Sequence, residues 1–116
     1  MTTDLPDIDP SVQNALRELM QDDYRLLVET FLNDALRRLT DLREALLAGR
    51  WDAFRQSAHS FRGSCGNMGA LALERTCSIA ERAGLERDAT AAEGALVELE
   101  LLHARIVPLM RSRLDI

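Results

Sequence analysis

The residues best placed to do chemistry lie in one stretch, Ala58-His59-Ser60-Phe61-Arg62-Gly63-Ser64-Cys65-Gly66-Asn67-Met68-Gly69. Arg62 follows His59 at i+3, and Gly63 and Gly66 follow at i+4 and i+7, so all four share one face of a helix. Glycine inside a helix costs about 1 kcal/mol relative to alanine. Two of them beside a histidine and an arginine predict that something large must come close to the imidazole. The chemistry on offer is nucleophilic. A neutral imidazole has one free ring nitrogen and is largely unprotonated near neutral pH. It can attack an acyl phosphate on another protein and hold the phosphoryl group as a phosphoramidate. Arg62 can balance the added negative charge through charge-assisted hydrogen bonds. Gly63 and Gly66 leave a shallow depression through which a partner's aspartate reaches in-line distance.

The elements that must position these groups are helices. Asp9 and Pro10 mark a helix start, as cap and first residue, and a short helix runs to about Met20. A second spans about Asp22 to Ala48, with Val28, Phe31, Leu32, Ala35, Leu39, Leu42 and Leu46 at three- and four-residue steps and Gly49 as its stop. The third starts near Trp51, turns Phe54, Ala58, Phe61, Cys65 and Met68 inward, and closes over Gly66–Gly69. The fourth covers about Ala70 to Ala83, with Leu73, Cys77 and Ala80 inward, and stops at Gly84. Residues 85–88 form a turn. The fifth runs from about Thr90 to Arg113 with Ala92, Leu96, Leu99, Leu102 or His103, and Ile106 inward, and Pro108 is expected to kink or fray its last turns. Four long amphipathic helices with short links must bury their stripes against one another. The expected fold is all-α: an antiparallel up-down four-helix bundle with a short extra N-terminal helix, in a single domain over residues 1–116.

On a wheel of roughly 100° per residue, His59, Arg62, Gly63 and Gly66 centre roughly 130° from the core stripe of the third helix. The histidine is therefore predicted to face solvent at mid-helix, with Arg55 and Gln56 bordering the same surface. His103 is the contrast. With Ile106 and Val107 at i+3 and i+4 and neither a cation nor an open face beside it, it reads as a partly buried bundle residue.

Composition narrows the function classes. The formal charge is −5, so no nucleic-acid footprint is expected. No apolar run is long enough to span a bilayer, and Met1–Asp7 lacks the basic and apolar regions of a signal peptide, which predicts a cytoplasmic protein. Cys65 and Cys77 read as free thiols packed as small hydrophobes; with two histidines they do not make a zinc site. No Walker-type loop or glycine-rich ATP box is present, so the chain is expected to be no kinase.

The pattern His-x-x-Arg-Gly-Ser-x-x-Asn-x-Gly, extending more loosely through Leu73, Cys77, Ala80 and Glu81, resembles the histidine-containing phosphotransfer (HPt) domains of bacterial two-component phosphorelays. The resemblance implies a monomeric bundle that carries phosphate between receiver domains, whether of response regulators or of a hybrid histidine kinase. His59 matches the phosphorylated residue, Gly63 the access glycine, and Arg62 a position usually held by lysine. Glu81 falls where the family often has Gln or Glu. Accepting a hydrogen bond from Nδ1–H, it would fix the tautomer and leave the lone pair on Nε2. Arg55, Gln56 and Gly66 are the expected partner-binding residues. The chain is expected to need no cofactor of its own, with Mg²⁺ supplied by the receiver. Two other readings are an HPt-like module that binds and regulates a receiver or enzyme without carrying phosphate, and a small hydrolase, for which a second acid or base on the same face is wanting.

Overall fold

The computed structural model describes residues 6–115. Met1–Leu5, most of the stretch examined for a leader, and Ile116 lie outside the described residues. The chain forms α1 (Pro10–Met20), α2 (Tyr24–Leu47), α3 (Trp51–Met68), α4 (Leu71–Leu85) and α5 (Ala89–Ser112), with a 3₁₀ turn over Gln21–Asp23 and another over Arg113–Asp115. No strand occurs among the described residues. Helices α2 to α5 pack in sequence, and α5 returns against α2 to close an up-down four-helix bundle. Among the described residues, no helix is long and apolar enough to cross a membrane.

Helices α2, α3 and α4 each end where the backbone turns left-handed. After α2, Gly49 has φ +69°; Gly49 N–H donates to Leu46 O and Arg50 N–H to Ala45 O, the paired bonds of a Schellman stop. After α3, Gly69 (φ +66°) and Ala70 bond to Gly66 O and Cys65 O in the same way. After α4 the motif recurs with Arg87, φ +54°, in the position glycine would favour. This corrects the expected stop at Gly84. The helix runs on through Leu85 because Gly84 serves packing instead: a Cβ there would lie 3.0 Å from the Phe54 ring and 3.2 Å from the backbone of Arg55. Helix α5 likewise continues past Pro108 to Ser112.

The inward stripes match the heptad-like spacing, with Phe54, Ala58, Phe61, Cys65 and Met68 all buried. In α2 the inner position near the end belongs to Ala45, and Leu46 sits at the core's edge. In α5 Leu102 points inward. His103 lies at the edge, its Nε2 3.3 Å from Leu32 O.

Helix α1 lies across one end of the bundle. Asp9 caps it by accepting from Ser11 N–H, and its own N–H donates to Gly69 O at 2.8 Å. Gln13 is fully buried: its amide donates to Met68 O, and its oxygen accepts from Tyr24 O–H. Arg17 donates to Arg113 O, and Arg113 to Asn14. Asp9 and Gln13 of the α1 segment thereby satisfy the Gly69 and Met68 carbonyls at the end of α3.

Candidate functional site

Helix α3 carries His59 at its middle, with the side chain 60% exposed. Its Nδ1 lies 2.8 Å from Oε2 of Glu81, on α4. An ionised carboxylate only accepts, so Nδ1 carries the hydrogen and donates it. The lone pair is left on Nε2, at the other side of the ring. Arg62 Nη2 is 3.3 Å from the same Nδ1 and 3.5 Å from Glu81 Oε1. A guanidinium cannot donate to a nitrogen that already bears a hydrogen, so its electrostatic partner is the carboxylate. His59, Glu81 and Arg62 thus form one cluster.

The cluster depends on how closely α3 and α4 approach. Their facing stripes are built from small side chains: Ala58 and Cys65 on α3, and Cys77, Ala80, Ala83 and Gly84 on α4 are all buried. Small residues bring the helix axes together, and a glutamate on one can then span to a histidine on the other. Both cysteines are free and buried. Hydrogen bonding with Cys77, together with burial, pushes the Cys65 thiol well above its ordinary pKa, so no thiolate is at hand and the pair acts as core.

The two glycines beyond His59 differ. A Cβ on Gly63 would meet no atom within 4 Å, so this position is open. A Cβ on Gly66 would lie 2.7 Å from Glu74 Oε2. Gly66 therefore makes room for a carboxylate of α4 rather than widening the depression, which corrects its expected role in access.

Arg55 and Gln56 part company. Arg55 is half-buried on the α4 side, where it lines a groove of about 480 Å³ with Arg62, Ser78, Glu81, Arg82, Leu85 and Glu86. Gln56 is exposed and turns toward α2, beside Arg38, Asp41 and Glu44. Past Gly63 a second groove, about 210 Å³, is lined by Leu27, Thr30, Phe31, Asp34, Ser64, Asn67 and Met68. Ser78 and Arg82 were not singled out from sequence. For Ser78 the signal was there, since it lies one turn before Glu81 at i−3; Arg82, at i+1, is turned about 100° away, and spacing gave no sign of it. Among the described residues, no group of three His, Cys, Asp or Glu side chains is arranged to hold a metal ion.

Comparison with known proteins agrees with this geometry. The Hpt domain family model matches residues 26–107. The crystal structure of histidine-containing phosphotransfer protein B (HptB) from Pseudomonas aeruginosa is similar with a TM-score of 0.90 and 34% identity, over 95% of this chain and 96% of that one. A candidate histidine-containing phosphotransfer protein from rice shares the fold, with a TM-score of 0.85 at 18% identity, over 94% of this chain and 80% of that one. No curated relative matches the chain significantly.

Proposed function

Because the chain belongs to the Hpt domain family, we propose that it accepts a phosphoryl group on His59 from a receiver-domain aspartate and passes it to a second receiver. The observation that carries this reading is the pairing of Nδ1 with Glu81 at 2.8 Å beside an open Gly63. In the forward step the Nε2 lone pair attacks phosphorus in line. The N–P bond forms as the bond from phosphorus to the aspartyl oxygen breaks, and the carboxylate leaves with the electron pair. The ring then bears positive charge, which the Glu81 carboxylate stabilises through Nδ1–H. Arg62, 39% exposed and one turn on, offsets the charge of the phosphoryl oxygens. Attack on Nε2-bound phosphorus by a second aspartate reverses these steps.

The chain acts as a monomeric carrier rather than an enzyme, in the cytoplasm where receivers would meet it. We assign the divalent ion to the receiver, where it would neutralise charge on the transferring group.

The test is to mix the protein with a phosphorylated receiver domain and Mg²⁺ and to follow label. Acid-labile, base-stable label is expected on the wild type and none on His59→Gln. Binding without label would overturn the carrier reading in favour of a phosphate-independent interaction module.

A further inference from the structure

We infer that the groove between α3 and α4 seats an acidic side chain of the docking receiver, and that Arg55 selects it. This deepens the proposed function and rests on it. Arg55 precedes His59 by four residues, about 6 Å along the helix axis, on the same side of α3. A carboxylate on a protein docked over His59 therefore falls within reach of it.

Arg55 stands apart from its neighbours. Arg62 faces Glu81, and Arg82 pairs with Glu86. Arg55, half-buried, makes no hydrogen bond or ion pair among the described residues. A guanidinium partly withdrawn from water without a partner gains from an incoming carboxylate, which it can engage through two parallel hydrogen bonds. Its backbone is held in place for this. Gly84 lets α4 close to within van der Waals contact of the Arg55 Cα, so the end of the groove is fixed before the partner arrives.

The two sides of His59 are chemically unlike, and this sets the partner's orientation. The groove on the α2 side is floored by Leu27, Phe31 and Met68. Its carboxylate, Asp34, is already engaged by Arg37 and Arg38. With Arg37 and Arg38 occupied by Asp34, an incoming acidic side chain meets a carboxylate there, but an apolar one fits. A receiver that presents an acid on one side of its phosphorylation pocket and an apolar residue on the other docks in one direction. The chain as a whole carries −5 and repels an acidic partner, so the local charge of Arg55 favours approach on the groove side of the histidine over other directions.

The experiment measures transfer to His59 from the receiver domain of the same genome that labels the wild type fastest. Arg55→Glu is expected to raise KM, the receiver concentration that half-saturates the single-turnover rate, at least tenfold while the maximal rate changes less than twofold, and to flatten the salt dependence of their ratio. Arg111→Glu removes a cation that pairs with Glu29 across the bundle and should leave KM unchanged. Thermal melting checks that both variants are folded. Each Asp and Glu bordering the receiver's phosphorylation pocket is then changed to Arg, and one such change should restore KM with Arg55→Glu. An unaltered KM in Arg55→Glu, or failure of every receiver variant to rescue it, overturns the groove assignment and leaves the carrier function standing. Failure of every receiver to label the wild type overturns both.

Discussion

Gly63 within α3 and Gly69 at its C-terminal cap use the absence of a side chain for opposite ends. At mid-helix, Gly63 has nothing within 4 Å of the position its Cβ would take, and it lies one turn from an imidazole exposed to solvent. At the C-terminal end, Gly69 has φ +66°, and a Cβ there would sit 2.8 Å from the Cβ of Val12. Around Gly69 the buried amide of Gln13, the Tyr24 hydroxyl and the Met68 carbonyl are satisfied within the protein. Around Gly63 the surface is bare. The first glycine leaves room for another molecule, and the second for another part of the same chain. Bareness inside a helix is thus a functional sign only when the tertiary structure leaves the space empty.

The widest separation of the two sites is expected from Gly63→Gln. The helix should gain about 0.5–1 kcal/mol, since glycine is the poorer helix former. Transfer from a receiver should fall about a hundredfold or more, because the new side chain stands between the reacting atoms. Chemical denaturation and single-turnover transfer measure the two effects. Unchanged transfer would break the comparison.

The mirror image is Gly69→Ala. Strain at positive φ and the collision with Val12 together should cost roughly 2–4 kcal/mol of stability. Transfer by the remaining folded protein, measured well below its melting temperature, should be near that of the wild type. Next in size is Glu81→Ala, which should slow single-turnover transfer roughly tenfold. That is less than the loss of a buried, preorganised group, because Glu81 remains partly exposed. Glu81→Gln, which keeps an acceptor for Nδ1–H, should recover most of the rate. Smallest is Arg87→Gly at the end of α4. Relief of a non-glycine residue at φ +54° should stabilise by up to about 1 kcal/mol without altering transfer.

Much of this arrangement was legible in the residues. The buried stripe of α3 and the outward direction of His59 follow from spacing, because residues on one helix share a fixed angular step. The left-handed stops at Gly49 and Gly69 were legible too. Gly84 misled for an instructive reason: local rules make glycine a stop, but α3 needed its bareness for close packing. Arg87 then carried the turn. Gly66 misled in the same way, because its neighbour Glu74 belongs to another helix.

The sequence by itself determined the core stripe of α3 and most of the stripes of the other long helices, since helical periodicity fixes angles about one axis. It placed His59, Arg62 and Gly63 on one outward surface and left Leu102 and His103 as alternatives for one inward position of the fifth helix. Only the tertiary structure decided that Glu81 reaches Nδ1, that Gly66 is filled and Gly63 empty, and that Arg55 waits beside a groove. Those outcomes are distances between separate helices, set by the small side chains that let α3 and α4 approach.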